Sequence, residues 1–524
     1  MRRRDRRGPV WAPVVAAGLL ALARPASALP LDAGPLGRWT LGGWAEGYAV
    51  LKVDPDTQRQ RPEGIAALNA TGDVHPKARL FLDLRTTFGG PPEHADGFGF
   101  INLSDAFQNV SPAMELEEGY LDLFLPSLDL RLGKQKIAWG KLDTFQPTDV
   151  VNPRRFNDPF VAEGEDRKIG IPALRAAYYP PRLSPPWPQD VSTTLVWVPV
   201  PVPPRFPLED ERWFPASTTV PPTLRVPGSV FESPDLPNVP DLLTRNELAT
   251  ANRRPAQQLD EGAVGLRLAG LWNRADWALY YYSGPETAPS FAFDTTLRAP
   301  NPVRFMQCLQ RGAPGTCTLN AKATLRPIGG RIDLAGGDVA VEARGVTMRL
   351  EGAWSSDRFL PRSVEDLLSQ ANLVRVTRGR LVRLAQKLTA GRSVPVDLGD
   401  LFVRRDTVEW GAGFDYRYRG WTPVLQVNQT LILDNPTNLL INDVDTRLFL
   451  IVRKPFLAER LQTEGGVLQG LERGYTTGLV RGTYAITDHW RVRAGYLLIA
   501  GSRRTLIGQF HDNDEAYVQV RYTF

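Results

Sequence analysis

Apolar and polar residues alternate along many stretches of this chain, and the last stretch shows the pattern most clearly. Its apolar set is Ala516, Val518, Val520, Tyr522 and Phe524, and its polar set is Glu515, Tyr517, Gln519, Arg521 and Thr523. Successive side chains of a β-strand point to opposite faces. The period of two therefore predicts a terminal strand with one face suited to lipid and the other suited to water.

The same alternation recurs in stretches of about ten residues along most of the chain. Apolar sets occur at Leu80, Leu82 and Leu84, at Val346, Met348 and Leu350, at Val408, Trp410, Ala412, Phe414 and Tyr416, and at Trp490, Val492, Ala494 and Tyr496. After residue 28, no apolar run reaches the roughly 18 residues of a membrane-spanning helix. In lipid, an amphipathic strand keeps its backbone hydrogen-bonded only in a closed barrel. We therefore predict an all-β transmembrane antiparallel barrel rather than a soluble β-sandwich.

Short turns and long connections alternate along the predicted barrel, so its strands can be counted. Bacterial single-chain barrels have an even number of strands, short periplasmic turns and longer outside loops. Short turns are expected at 126–127, 272–274, 419–420 and 486–489, and long connections at 139–172, 201–258, 285–326, 356–403 and 501–514. The alternation predicts about 18 strands. Loss of a weak strand at 97–107 or of a Gly-rich pair at 324–355 would change the number to about 16.

Residues 1–28 have the three parts of a secretory signal: a basic start, an apolar run over 10–23, and the small residues Ala26, Ser27 and Ala28. We expect cleavage there, which leaves the barrel at 29–524. The signal contains six Arg and one Asp, so its removal from 62 basic and 57 acidic residues leaves 56 of each. The net charge of +5 belongs to the signal, and charge gives no argument for a nucleic-acid partner.

A long charged segment, 139–172, follows the predicted strand at Leu128, Leu130 and Leu132 and occupies the third outside position. The candidate constriction residues in and just before it are Lys134, Lys136, Trp139, Lys141, Asp143, Asp149, Arg154, Arg155, Glu165 and Arg167. The segment also has aromatic residues that would anchor it, which a freely solvated loop would not need. We predict that this loop folds into the barrel. The alternative is an ordinary solvated outside loop.

A motif of three elements lies at the start of this segment and within it: Gly-Lys-Gln at 133–135, Trp139-Gly140-Lys141, and Asn152-Pro153-Arg154-Arg155-Phe156. The motif resembles the porin-like outer-membrane barrels of Gram-negative bacteria, including alginate-export-type and uncharacterised proteobacterial porins. As a motif it covers only about forty residues. The resemblance implies an outer-membrane location and a third loop folded inside the barrel. It also implies that Val520, Tyr522 and Phe524 form an assembly signal for the barrel-assembly machinery and periplasmic chaperones. The Pro-rich loop at 201–258 departs from general porins.

Many arginines fall on the predicted polar faces of the strands, and Arg79, Arg349, Glu351 and Arg417 are candidate lumen residues. Unpaired rows of Arg would select anions. Acidic residues share these faces, however, and opposite charges on neighbouring strands stabilise one another. We therefore favour a lumen in which the charges are paired.

Two further connections have recognisable chemistry. Cys308 and Cys317 lie in the connection at 285–326, where a local disulfide is favoured over a metal site because no His lies nearby. Residues 363–391 have apolar residues at helical spacing, which predicts a helix in the connection at 356–403.

These features predict a passive outer-membrane channel for small hydrophilic solutes, including anionic or carbohydrate-like ones, narrowed by an internal loop. The alternative is a barrel for polysaccharide export or surface attachment through the aromatic residues Trp187, Trp213, Phe214 and Phe231. An enzyme is less favoured, because the four His, at 75, 94, 489 and 511, form no Ser/His/Asn pattern. We expect no cofactor, and we expect lipid and lipopolysaccharide as partners.

Overall fold

The computed structural model describes residues 29–32, 34, 37–52, 63–89, 113–156, 160, 167–181, 187–207, 212–218, 221–230, 232, 238–250, 261–288, 290–312, 314–363, 367–368, 381–397, 399, 401–434 and 439–524. The predicted signal at 1–28 and the residues Glu165 and Phe231 lie outside these ranges. No helix in the described ranges is long and apolar enough to cross a membrane.

A sheet of 19 antiparallel strands contains a closed ring of 18 and the short strand β1 (Leu29–Asp32), which pairs with β2. The ring strands are β2 (Arg38–Lys52), β3 (Glu63–His75), β4 (Ala78–Gly89), β5 (Ala113–Leu125), β6 (Leu128–Gln135), β7 (Ile171–Tyr178), β8 (Gln189–Val198), β11 (Ala263–Trp272), β12 (Ala275–Pro285), β15 (Arg331–Ala343), β16 (Val346–Pro361), β18 (Phe402–Tyr416), β19 (Thr422–Ile432), β20 (Val444–Phe456), β21 (Leu461–Gly470), β22 (Tyr475–Ala485), β23 (Trp490–Ala500) and β24 (Glu515–Thr523).

The ring confirms the predicted number of 18 strands. The segment at 97–107 lies outside the described residues, and β4 pairs directly with β5. Of the Gly-rich stretch at 324–355, the part from Arg331 onward forms β15 and β16, as predicted. Residues 324–327 belong instead to a strand of a second sheet.

The two faces of the ring follow the alternation in the sequence. Apolar side chains such as those of Leu68, Leu132, Leu350 and Val480 are exposed on the outer face. Charged side chains such as that of Glu515 are buried on the inner face. An exposed apolar belt around a closed barrel is the arrangement that lipid requires.

The ring closes where β24 pairs with β2. The backbone N–H of Phe524 donates to the carbonyl of Gly43 at 2.9 Å, and the N–H of Gly43 donates back at 3.0 Å. Gly43 also has no room for a side chain. A Cβ there would lie 2.4 Å from the carbonyl oxygen of Ala67 and 2.6 Å from Cζ of Phe524. The terminal residue therefore packs against a glycine at the closing seam.

We expect Gly43→Ala to lower the yield of closed barrel, because the added methyl group must displace either Phe524 or the backbone of β3. Gly47→Ala on the same strand is the matched control, since a Cβ there meets nothing within 4 Å. The fraction of heat-modifiable protein on unboiled gels measures closure. Equal yields for the two variants would contradict the role of Gly43 at the seam.

A second sheet is built from three long connections of the ring. It contains β9 (Thr223–Val226), β10 (Asp241–Thr250), β13 (Phe291–Arg298), β14 (Thr316–Pro327) and β17 (Val394–Asp397), in the order β17-β13-β14-β10-β9. The strands β10 and β14 pair in parallel. We call this the outer sheet, because the connections that form it are the long ones on the outside.

Two helices accompany the outer sheet, α1 (Pro302–Arg311) and α2 (Leu381–Thr389). Short 3₁₀ helices occur at Ala216–Thr218, Gly228–Val230 and Gly508–Phe510. The disulfide between Cys308 and Cys317 links α1 to β14. The helix expected within 363–391 is present as α2, while residues 364–366 and 369–380 lie outside the described ranges.

Trp187 was expected in an outside connection, as part of a surface that binds polysaccharide, and the structure places it elsewhere. It belongs to the β7–β8 connection, which is on the same side of the ring as the short turn at 126–127, and its side chain is exposed. Trp187 therefore lies at the periplasmic end and cannot contribute to an outside binding surface.

Candidate functional site: the inward-folded segment after β6

Residues 136–156, here called the constriction segment, lie inside the ring. The segment leaves β6 and contacts inward-facing residues of seven neighbouring strands in turn. They are Gly265 of β11, Tyr280 of β12, Asp338 of β15, Glu351 of β16, Gly411 of β18, Gln426 of β19 and Phe449 of β20. A solvated outside loop would make none of these contacts. The predicted inward fold of the third loop is confirmed.

The first limb of the segment is anchored by Trp139 and Lys141. The indole of Trp139 is buried and lies 5.1 Å from the ring of Tyr280, centroid to centroid. Lys141 reaches across to β12 and β15, where its ammonium lies 2.9 Å from both Asp276 and Asp338. One aromatic anchor and one cation thus bind the limb to the same part of the wall.

Glu351 on β16 is the main polar anchor of the segment. Its carboxylate accepts the backbone N–H of Lys141 at 2.9 Å, that of Leu142 at 3.3 Å and that of Thr148 at 2.9 Å. It also accepts the hydroxyl of Thr148 at 2.7 Å. Because these donors come from both limbs, a single buried carboxylate holds the two limbs together against the wall.

The tip of the segment lies against β19 and β20. Gln426 accepts the backbone N–H groups of Asp143 and Thr144 at 3.0 and 3.3 Å. The ring of Phe145 lies 5.2 Å from that of Phe449, centroid to centroid. The guanidinium of Arg447 lies 5.0 Å from the centre of the Phe145 ring. Phe145 remains partly exposed, so the tip presents an aromatic face to the lumen.

The returning limb is tied back to the starting point of the segment. The side chain of Asn152 accepts the N–H of Ile137 at 2.7 Å and donates to the carbonyl of Ile169 at 2.8 Å. Asp149 binds Arg154 at 2.7 Å and Lys168 at 3.0 Å. Asn152 therefore joins the start of the segment to Ile169, where the chain returns toward β7.

Glycines make room for the segment on the barrel wall. A Cβ at Gly265 would lie 2.7 Å from Trp139, and one at Gly411 would lie 2.6 Å from Leu142. Within the segment, Gly140 has a φ of +83°, and a Cβ there would lie 2.6 Å from the carboxylate of Glu351. Glycines thus leave room for the segment at two places on the wall and at one place in the segment itself.

An acidic junction on β5 receives cations from the start and the end of the segment. Glu115 lies 3.2 Å from Lys134, Glu117 lies 2.7 Å from Lys136, and Arg155 binds both carboxylates at 2.7 and 2.8 Å. These side chains are all largely buried. Neither carboxylate was among the residues predicted from the sequence.

Most of the inward-facing arginines form ion pairs. The pairs are Arg85 with Asp83, Arg131 with Asp122, Arg349 with Asp143 and Asp415, Arg447 with Asp445, Arg453 and Arg481 with Glu464, and Arg521 with Glu46. Arg493 bonds to Thr483 and Gln519 instead. In the described strands, most of the inward-facing arginines are therefore paired with acids, as favoured from the sequence, rather than arranged as free rows of cations.

The outside face of the segment borders a cavity of about 170 Å³. It is lined by polar and charged side chains around an aromatic one, among them Phe145, Arg154, Arg358, Glu409, Asn428 and Arg447. Arg154 and Arg447 are paired as above, and Arg358 binds Glu286 at 3.1 Å. The cavity offers hydrogen-bond donors and acceptors at fixed positions. Within the described ranges, no group of three or more acidic, His or Cys side chains could hold a metal ion.

The structure brings most of the predicted constriction residues together, with two exceptions among those it describes. Arg79 pairs with Asp73 next to the short β3–β4 turn and is half exposed. Arg417 is exposed in the β18–β19 turn. Neither contacts the constriction segment, because each lies at the turn end of its strand. Arg167, in contrast, lies at the return of the loop, where its carbonyl accepts the N–H of Arg155.

The residues missed from the sequence are mainly on the wall: Glu115, Glu117, Gly265, Asp338, Gly411 and Gln426. Their signal was present in the sequence but weak. Each occupies an inward position of its strand, where the alternation predicts a polar residue. Which inward positions contact the loop depends on the course of the loop through the barrel. The alternation within a single strand does not predict that course.

The closed ring, its apolar belt and its polar interior define an outer-membrane β-barrel, and the segment after β6 defines it as a barrel with an internal loop. Residues 101–477 match the family model described as "Protein of unknown function (DUF1302)". The match covers well over half of the chain, and the protein belongs to this family. The resemblance to alginate-export-type barrels remains an expectation.

Several solved structures are similar to this chain at low identity. The BenF-like porin from Pseudomonas fluorescens Pf-5 is 6% identical with a TM-score of 0.44, over 93% of this chain and 97% of that one. Acinetobacter baumannii OccAB2 is 9% identical with a TM-score of 0.45, over 94% and 99%. Pseudomonas aeruginosa OccK5 (OpdH) is 10% identical with a TM-score of 0.43, over 93% and 98%. The sequence matches no curated protein.

Proposed function

We propose that this protein is a passive channel of the bacterial outer membrane for small hydrophilic solutes, and that the constriction segment sets the width of its lumen. The observation that carries the proposal is the position of residues 136–156 along the inner wall from β11 to β20. A ring of about 18 strands encloses an aqueous lumen unless something fills it. A segment fixed to one side of that lumen narrows it without filling it.

The paired charges support small neutral solutes, including carbohydrate-like ones, over anions. Ion pairs along the wall offer donors and acceptors but little net field. The exposed ring of Phe145 beside the cavity adds an apolar face of the kind that the carbon–hydrogen side of a sugar would cover. These features favour recognition by hydrogen bonding and contact rather than by charge.

For the intact protein in planar bilayers, we expect a reversal potential close to zero under a salt gradient. The physical reason is that Arg85, Arg349, Arg447 and Arg481 are each neutralised by a nearby carboxylate. Asp445→Asn is the informative variant, because it removes the carboxylate that pairs with Arg447. The reversal potential should then shift in the direction that indicates a preference for anions. A strong anion preference of the unmodified protein would contradict the paired lumen.

A surface role is the second candidate, and the outer sheet is the observation that favours it. Five strands, two helices and a disulfide form a folded unit on the outside, which a simple pore does not need. Such a unit could bind an extracellular polysaccharide, as in export or attachment. A pull-down of the whole protein with purified surface polysaccharide tests this role independently of conductance.

The C-terminal strand supports a proposal for assembly. Val520, Tyr522 and Phe524 lie on the lipid-facing side of β24, next to the seam that closes the ring. We propose that these side chains are recognised by the barrel-assembly machinery before closure, when they are still accessible.

A further inference from the structure

Two stretches of the outside connections contain basic residues and no acidic ones. Residues 295–330 contain five Arg or Lys, residues 367–396 contain six, and neither stretch contains Asp or Glu. Without its predicted signal the chain has as many acidic as basic residues, so the charge of these stretches is offset elsewhere in the chain. Positive charge is therefore concentrated in two of the outside connections.

The structure brings the helices of these two stretches together. Phe305 of α1 packs with Leu384 and Leu388 of α2 in one apolar cluster. A Cβ at Gly391, just after α2, would lie 3.4 Å from Pro302 at the start of α1. The end of α2 therefore lies against the start of α1, and the two helices form one surface.

The outer sheet holds this helix pair firmly in place. Leu319 of β14 belongs to the same apolar cluster as the helices, and the disulfide from Cys308 to Cys317 joins α1 to β14 covalently. Both contacts fall in the first half of β14, whereas the chain returns to the ring only after the last residue of that strand. The pair is therefore fixed to the end of β14 that is farther from the ring.

Six cations mark the exposed side of the pair, here called the basic face. Their side chains are exposed, and none of them forms an ion pair with another described residue. A spacing of seven residues in α1 and of four in α2 places the cations of each helix on one flank. They are Arg298 before α1, Arg304 and Arg311 in α1, Arg383 and Lys387 in α2, and Arg392 after α2.

The helix dipoles explain only part of this arrangement. A cation near the C-terminal end of a helix is stabilised by the dipole, which accounts for Arg311 and Lys387. Arg304 lies in the first turn of α1, where the dipole disfavours a cation. Arg383 lies four residues before Lys387, and like charges at this spacing destabilise a helix. The basic face therefore has a cost in stability that an external anion would recover.

We propose that the basic face is a docking surface for lipopolysaccharide and that the phosphate groups of this lipid are its anions. Lipopolysaccharide surrounds the outside connections of a barrel in the outer membrane. Five of the six cations are arginines, whose planar guanidinium binds phosphate through two parallel hydrogen bonds. Basic side chains close to an anionic lipid surface each add to the attraction. The proposal gives the outer sheet a partner anchored in the membrane, and it holds whether or not the barrel conducts.

The test is the affinity of the whole protein, refolded in detergent, for phosphorylated lipopolysaccharide of the rough type. For Arg304→Gln/Arg383→Gln we expect binding weaker by at least about tenfold. Arg225→Gln/Arg326→Gln is the matched control, because it removes two arginines of the outer sheet that already form exposed ion pairs. The control should change the affinity by less than about twofold. Heat-modifiable mobility checks that both variants are folded.

Two further measurements use the unmodified protein alone. A higher salt concentration should weaken the binding, because exposed charges are screened by salt. Lipopolysaccharide from which the phosphate has been removed should bind at least about tenfold more weakly than the intact lipid. Both results are required even if the double variant does not fold. Arg304→Lys/Arg383→Lys keeps both charges and should keep most of the affinity.

Three results would overturn the docking surface. They are an equal loss of affinity in the two glutamine variants, undiminished binding of the dephosphorylated lipid, and tighter binding of a phosphate-free anionic polysaccharide than of lipopolysaccharide. None of them depends on conduction. A barrel that conducts and does not bind the lipid leaves the channel standing, and one that binds the lipid without conducting leaves the docking surface standing.

Discussion

Replacement of Lys141–Lys168 by a short Gly-Ser linker is expected to raise the amplitude of single-channel current several-fold. This deletion removes the tip and the returning limb of the constriction segment, so the wall from β15 to β20 becomes free for ions. The ring itself should close as before, because its strands pair through their own backbones. The ends can be joined, since one side chain, that of Asn152, bonds to both Ile137 and Ile169.

The measurement is current amplitude in planar bilayers, with heat-modifiable mobility as the check on barrel closure. Arg503→Ala is a suitable control, because this residue forms an exposed ion pair with Asp512 in the last outside connection. An unchanged amplitude in a folded deletion variant would mean that residues 141–168 do not limit the pore.

Glu351→Gln is expected to make the current noisy, with several conductance levels in place of one. One carboxylate oxygen accepts the N–H groups of Lys141 and Leu142, and the other accepts the N–H and hydroxyl of Thr148. An amide keeps one accepting oxygen and turns its NH₂ group toward the donors of the other limb, so one limb loses its acceptor. A buried donor left without an acceptor costs about 1–3 kcal/mol. The constriction segment should then move between attached and detached states, while the barrel loses little of its own stability.

The matched control is Glu409→Gln on the neighbouring strand β18. Glu409 also lines the lumen, but no hydrogen bond from the described residues holds its carboxylate. We expect a steady current from that variant. If the two variants gave equally steady traces, Glu351 would not be the anchor of the segment, and the position of the segment would depend on Trp139 and Lys141 instead.

The alternation of residues was sufficient to predict the ring, its two faces and its closing strand. Each strand has one face in lipid and one in a polar interior, so the period of two is imposed on every strand separately. The predicted number of strands depended on how the connections between them were interpreted. A length of chain between two strands does not reveal whether it forms another strand of the ring or an outside connection.

The inward fold of 139–172 could be predicted because the segment has its own aromatic anchors, of which Trp139 and Phe145 indeed contact the wall. The inward course of residues 202–207 and 212–218, in the β8–β11 connection, could not be predicted in this way. Its prolines and its aromatic residues Trp213 and Phe214 were equally compatible with an outside binding surface. Only the contacts of Arg205 and Arg212 with β5 and β24 distinguish the two, and both partners are distant in sequence.

Chemical modification at the tip of the constriction segment tests the central claim most directly. In Phe145→Cys the new thiol is the one free cysteine, since Cys308 and Cys317 form a disulfide. If the tip lies in the conducting path, a charged thiol reagent should reduce the single-channel current in discrete steps, while Val303→Cys on the exposed face of α1 should react without any change in current. An unaltered current after complete labelling of Cys at position 145 would contradict the presence of this segment in the pore.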